Sequence, residues 1–442
     1  MNVATYRHLI FTTEDILFGA ITFIVILLTY SSYSVLRYGL KMSRVVLVAL
    51  LIKLITTILF VYLTKYVLGG DSLMYYTGAS QIASADLGVI CEYFFTLNPS
   101  ELSNHAWSIL QGSPVNYFVS IGNNLVGEIG AFFILLFFDS YTSVSFMFAL
   151  LGFVGTFKFY KVGISLYPSA KRFLALMLLF LPSLLYWSNG IMKDSVCLFF
   201  LGIATEAVYT IYILNKLRLQ RILALLVSIY FLFYIKVYIA IVFIACLIIV
   251  LGKRYYFNIR NKLLRRLALP IFLIVIALGL YFSNALIANQ FQRFSSDQIL
   301  ETIKYHQDVT YGASTYSLGN FDGSFVSLFL LLPFALFTSL FRPFLWEVHN
   351  IFMLFLSVEN LALMFVTIIT VIKCGLLRSI KTIFNDDILI YSLTFVIIFG
   401  GLVGLSTYNF GNLARYRLPM LPFYALLLAG LLHNNSLTRF GR

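Results

Sequence analysis

Residues Ile222–Gly252 read ILALLVSIYFLFYIKVYIAIVFIACLIIVLG, a run of 31 with a single charge, Lys236, near its centre. A membrane helix needs about 20 apolar residues, so the run is too long for one crossing and long enough for two short ones. Basic residues stand at both ends, Lys216, Arg218 and Arg221 before it and Lys253 and Arg254 after it. Positive charge marks the cytoplasmic flank of a membrane helix. Both ends therefore belong inside, and the chain is expected to turn outside, at Lys236.

The rest of the 442 residues follows the same grammar. The chain is 60% hydrophobic with a mean hydropathy of +0.91, and charged residues make up 11%, against about 25% in a soluble domain. Apolar runs recur from end to end, which predicts an all-α polytopic integral membrane protein, a single helical domain over 1–442. Met1–Asp15 carries one Arg and two acids before a full-length apolar run, so no cleavable signal is expected.

The net charge of +13 does not point to nucleic acid, because 21 of the 31 Lys and Arg fall in six short segments beside apolar runs. These are Arg37–Arg44, Lys158–Arg172, Lys216–Arg221, Lys253–Arg266, Lys373–Lys381 and the C-terminal tail. Such clusters set topology. Cys91, Cys197, Cys246 and Cys374 are scattered without a CxxC or metal spacing, so neither disulfides, a metal nor another cofactor is expected.

Threading these signals gives spans at 16–36 and 45–68, one ending near Tyr160, and then 173–189 and 194–213. The two short spans about Lys236 follow, then 267–285, 350–373, 387–405 and 418–433. That makes about eleven crossings, with the N-terminus outside and the C-terminus cytoplasmic. External loops are expected at 69–128 and 286–324. Residues 119–138 and 325–341 are apolar, but counting them as crossings would put the six basic residues of Lys253–Arg266 outside. They are expected to be re-entrant or interfacial helices.

Seven basic residues then map to the outer face against the rule: Lys193, Lys236, Arg293, Lys304, Arg342, Arg415 and Arg417. Basic residues on the wrong side call for an anionic partner. Five motifs hold most of them: GGDSLMYY (Gly69–Tyr76), PSLLYWSNGIMKDS (Pro182–Ser195), FYIKVY (Phe233–Tyr238), FRPFLWE (Phe341–Glu347) and NFGNLARYRLPMLPF (Asn409–Phe423). Each also has a plainer reading. Tyr75, Trp187 and Trp346 serve either as interface anchors or as sugar platforms. Asp194 suits a helix cap beside Lys193. Lys236 either snorkels to the headgroups or meets a ligand. Arg415 either pairs with Asp71 or Glu347 or binds the anion, and Glu359 is placed to answer a buried cation. In NFGNLARYR the chain is expected to be non-helical at its start, so that Arg415 and Arg417 reach one ligand together. The loop 286–324 has the length of a mobile cover.

A cavity with cations, a few carboxylates and aromatic rings on the outer face suits a lipid-linked phosphosugar, with cations on the diphosphate and rings against the sugar. On these motifs the chain resembles bacterial polytopic glycosyltransferases, namely those of the type-C fold and the exopolysaccharide and O-antigen polymerases. The resemblance implies that Asp71 is the acid of the first external loop, acting as general base. It implies that Arg415 and Arg417 hold the lipid phosphate, and the charge threading adds Lys193, Asp194, Lys236, Arg342 and Glu347 to the expected site. It also implies action on polyprenyl-linked saccharides in the inner membrane of a bacterium, among membrane lipids and other polysaccharide-assembly proteins. A flippase for lipid-linked oligosaccharide, or a structural subunit of an envelope complex, remains the alternative.

Overall fold

The computed structural model describes residues 12–68, 70–96, 101–110, 120–137, 139–258, 314–319 and 325–440. These are almost entirely helical and form no strand. The chain makes two compact units, Met1–Ala240 and Ile241–Arg442. Among the described residues seven helices are long and apolar enough to cross a membrane: Thr13–Tyr33, Arg44–Val67, Tyr141–Leu166, Lys193–Ile213, Val237–Tyr256, Ile351–Cys374 and Asp387–Thr407.

The first unit opens with α1 (Thr13–Leu63), started by Thr12, whose hydroxyl accepts from Asp15 N at 3.1 Å. Its 51 residues, laid straight as one helix, would measure about 76 Å. It is not straight. Asp15 accepts from Ser140 Oγ (2.7 Å) and Thr142 N (2.9 Å) at the start of α6 (Tyr141–Leu166). Thr64, just past the other end of α1, hydrogen-bonds Tyr141 at that same place. Farther along α6, the Tyr30 ring lies 5.7 Å from that of Phe153, while Lys53 reaches Ser188, the residue packed on Gly152. The path of α1 therefore reverses between Tyr30 and Lys53, and the expected spans 16–36 and 45–68 lie antiparallel.

Residues 69–128, expected as an external loop, carry α2 (Asp71–Ala83), α3 (Leu87–Phe95) and α4 (Asn104–Leu110), and run into α5 (Ile121–Phe137). The expected span 173–189 is broken into α7 (Lys171–Leu179) and α8 (Pro182–Trp187). Pro182 donates no amide hydrogen and disfavours helix at Leu181. Neither piece is long enough to cross alone, so a crossing here is a broken helix made of both. Next come α9 (Lys193–Val208), extended by a π turn to Ile213, then α10 (Leu219–Ile235) and the first turn of α11 (Val237–Asn258), the rest of which belongs to the second unit. The break between the last two falls on Lys236 (φ −147°, ψ 83°), as expected from the charge at the centre of the run. Helices α6 and α9 touch backbone to backbone. A Cβ on Gly155 would lie 2.2 Å from the Leu198 carbonyl oxygen, and one on Gly202 would lie 2.3 Å from that of Gly155. Small residues permit such contact in membrane bundles.

The second unit contains α12 (Phe325–Phe341), α13 (Ile351–Cys374), α14 (Leu376–Asn385), α15 (Asp387–Thr407), α16 (Phe410–Tyr416) and α17 (Leu421–Phe440). Side chains cap the second and fourth of these. Asn350 Oδ1 accepts from Met353 N (2.9 Å), and Asp386 Oδ1 accepts from Ile388 N (2.9 Å). Gly404 of α15 meets the Ala335 carbonyl of α12, where a Cβ would come within 2.2 Å of the oxygen. The expected last span 418–433 opens as a 3₁₀ turn and then α17, whose first ten residues are all buried, so it forms the core of this unit. The two apolar stretches expected not to cross are α5 and α12. Each has 17 residues, the same as α10, which is expected to cross, so length does not distinguish them from a crossing. The expected span 267–285 and most of the expected cover 286–324, with Arg293 and Lys304, lie outside the described residues.

Candidate functional site

The motifs come together within each unit. In the first unit three of them meet. Ser72, second residue of α2, accepts from Ile191 N (3.0 Å) in the turn before α9 and hydrogen-bonds Tyr141 (2.9 Å), which stitches GGDSLMYY to WSNGIMKDS. Asp194, in the first turn of α9, binds Lys236 Nζ at 2.5 Å, which brings in FYIKVY. Both side chains are buried, so the pair is a short, nearly dry contact with Asp194 set where the helix dipole favours negative charge. The start of α5 packs on the same turn, since a Cβ on Gly122 would lie 2.7 Å from the Tyr234 carbonyl oxygen. Its Asn123 accepts from the hydroxyl of buried Tyr75 at 2.9 Å. Asp71 is half-buried as the first residue of α2, placed by Gly70, whose φ of +99° suits glycine. Lys193 and Trp187 are also half-buried, and Trp187 packs edge-on against Tyr186 at 5.1 Å.

In the second unit FRPFLWE lines a cavity of about 380 Å³, a small-ligand size, whose walls include Arg342, Glu347, Phe344, Trp346, Thr338 and Phe334, and the last motif reaches it only through Phe410 beside Arg342. Arg342 follows the last residue of α12. Its Nε donates to both Glu347 oxygens (3.0 and 3.2 Å), and Nη2 donates to the first of them. Its guanidinium lies 5.5 Å from the ring centres of both Tyr316 and Phe410. Asn360 holds the Arg342 carbonyl at 2.6 Å, and the Phe344 amide donates to Glu347 at 2.8 Å. Burial raises the Glu347 carboxyl, but the hydrogen bonds from Arg342 and Phe344 outweigh it and hold the group below the usual carboxylate range. Trp346 stacks on Phe344 with centroids 4.7 Å apart and stays 79% exposed. The described part of the expected cover, Ser314–Gly319, forms a wall here. Tyr316 N donates to the Tyr408 carbonyl (3.1 Å) and Phe410 N to that of Ser314 (2.9 Å).

Arg415 and Arg417 do not act together. Asn409 Oδ1 accepts from Gly411 N (2.8 Å) and Asn412 N (3.3 Å), so NFGNLARY is capped into helix α16, against the expectation of a non-helical start. Even Leu418, before Pro419, is helical, in a 3₁₀ turn. Two residues apart on a helix point about 200° from each other. Arg417 turns inward, fully buried, with Nη2 donating to Glu359 Oε1 at 3.0 Å and Nη1 to the Ser339 carbonyl at 3.3 Å. Arg415 stays half-buried near the Tyr416 ring. Glu347, one expected partner of Arg415, is taken by Arg342.

Sequence reasoning passed over several polar residues. Lys53 is buried with Nζ on the carbonyls of Leu185 (2.8 Å) and Ser188 (3.0 Å) and on Ser188 Oγ (2.7 Å), which makes it the C-terminal cap of α8. Asn124 donates to buried Glu128 at 2.6 Å within α5. Tyr316 braces the cavity through its hydroxyl, bonded to Thr407 at 2.9 Å. A lone charge inside an apolar run was the available signal for Lys53 and Glu128, whereas nothing in sequence marks a carbonyl partner. Among the described residues no group of three or more His, Cys, Asp or Glu is placed to hold a metal ion. Comparison with family profiles, with curated proteins and with solved structures finds no match.

Proposed function

We propose that the chain is a membrane-embedded transferase for saccharides carried on a polyprenyl (di)phosphate, working at the extracytoplasmic face of a bacterial inner membrane in cell-surface polysaccharide assembly. The cavity beside Arg342 carries this reading. Its Arg–Glu pair is close to neutral overall and offers donors and acceptors together, which suits sugar hydroxyls better than an isolated phosphate. Phe344 and Trp346 supply flat apolar faces for a sugar ring. Next to them the outer face of α12, with Phe329, Leu330 and Phe334 exposed, offers a path for a hydrocarbon tail. In the first unit, taken by itself, Lys193 is assigned to an anionic group of the acceptor and Asp71 to proton abstraction from its hydroxyl, while Lys236 is already held by Asp194. The orientation that goes with this reading has about eleven crossings and two partial helices, N-terminus outside and C-terminus inside.

The test is turnover by the purified full chain in lipid nanodiscs, given a fluorescent polyprenyl-diphosphate oligosaccharide. The expected result is transfer of the labelled saccharide with release of polyprenyl diphosphate, abolished by Asp71→Asn at unchanged protein level. Movement of the intact lipid between leaflets with no bond broken would make the protein a flippase. Absence of both would leave it a structural subunit.

A further inference from the structure

Helix α14 has ten residues and stands in the second unit between α13 and α15, both long and apolar enough to cross a membrane. At about 15 Å it is far too short to cross a hydrocarbon core of about 30 Å. Local chemistry fixes both of its ends. Gly375, with φ +77° and open space where a Cβ would stand, turns the chain out of α13. At the other end Asp386 caps α15, while Lys253 of α11 donates to the Phe384 carbonyl and to Asp387 Oδ1, each at 2.8 Å. The sequence LLRSIKTIFN gives the helix three sides. Ser379 is buried and marks the side packed on the unit. Leu376, Leu377, Ile380 and Phe384, at spacings of three and four, make one apolar stripe, yet they are 64, 83, 43 and 65% exposed. Arg378 and Lys381 stand exposed on the remaining side.

A surface helix normally turns its apolar stripe to the core. This one turns it away, and the neighbouring surface says toward what. The exposed apolar side chains run on from the last turns of α13, where Ile368, Ile369 and Ile372 are exposed as well. On a helix of crossing length such a surface faces lipid. We propose that α14 lies in the plane of the membrane interface and docks on an anionic lipid surface. Its apolar stripe rests in the acyl chains, and Arg378 and Lys381 meet the phosphates. Aliphatic and aromatic residues on one side with Lys and Arg on another are the composition of such a helix. The 24 residues of α13, about 36 Å, run between the segment of the Arg342 cavity and α14, and the docking does not depend on what that cavity holds.

The experiment uses the full chain in vesicles of phosphatidylcholine and phosphatidylglycerol, with the exposed Cys91 replaced by Ser. A nitrobenzoxadiazole fluorophore is attached at Ile380→Cys on the apolar stripe, or at Asn385→Cys on the polar side. The first is expected to be quenched by lipids nitroxide-labelled in the chain and protected from aqueous dithionite, the second the reverse. At the Ile380 position, labelled phosphatidylglycerol is expected to quench more than labelled phosphatidylcholine. Arg378→Gln and Lys381→Gln should each lower that preference about fivefold, and Lys216→Gln, an exposed charge of the first unit, should keep it. Equal reduction of both positions by dithionite puts the helix in water and overturns the proposal. Protection of the Ile380 position from both reagents means that protein covers the stripe, whether a further segment of this chain or a partner, and overturns it too. Equal quenching by the two lipids, or a preference that both charge variants keep, overturns the anionic docking.

Discussion

Arg417 is the largest fully buried side chain among the described residues, and its charge is met by Glu359 on α13. Stranding either charge in the interior costs roughly 3–5 kcal/mol, whereas apolar replacement of both is often neutral. Arg417→Met and Glu359→Leu are each expected to lower the melting temperature in detergent sharply, and the double variant to recover most of the loss. Independent, additive losses would deny the pairing. Arg342 and Glu347 behave differently because they border a cavity. The Glu347 carboxyl is depressed, so the pair is intact above the ordinary carboxylate range and is lost only as pH falls through the depressed value. Trp346 fluorescence should therefore be flat from about pH 6 to 9 and change only in acid. A transition near neutrality would contradict the assigned partners. Glu359 was legible in the sequence as the answer to a buried cation. Which cation was not legible, because hydropathy places a charge at a depth and says nothing of its direction around the helix.

Elements were legible where charge interrupts an apolar run and obscure where only backbone chemistry does. Lys236 in mid-run marked the α10–α11 turn, and the basic cluster 37–44 marked the reversal of α1. Pro182 broke a span of acceptable length and composition, and Asn409 turned a stretch read as extended into α16, both through amide groups that hydropathy does not count. Where α9 begins, Asp194 is favoured by the helix dipole even without its partner, while Lys236 lies between the carbonyl end of α10, which favours its charge, and the amide end of α11, which opposes it. Lys236→Met should then cost less stability than Asp194→Leu, by roughly 1 kcal/mol. Thermal unfolding of the two variants measures the difference, and the reverse order would mean that the dipole is not what holds Asp194.

At the scale of the molecule, each unit carries ion pairs at two ends of its helices, while Lys53 of the first is held on helix carbonyls between them. In the first, Asp194, Lys236 and Tyr141 lie at one end and Glu206 with Lys158, Lys161 and Arg221 at the other. In the second, the Arg342 cavity lies at one end, and at the other Lys253 binds Asp387 at 2.8 Å close to exposed Arg378 and Lys381. Such segregation is what a membrane slab imposes, because charges in its middle are costly and collect at its faces. The cavity itself was foreseen only as separate residues, since its walls, drawn from between Ser317 and Glu347, meet through side-chain directions that hydropathy does not count. The central claim is that this cavity holds a lipid-linked saccharide. Native mass spectrometry of the chain purified from its producing cells measures that directly. The account predicts a bound mass of polyprenyl (di)phosphate plus sugar, lost in Trp346→Ala and Arg342→Gln but kept in Lys216→Gln. Retention of bulk phospholipids alone, unchanged by all three substitutions, would contradict it.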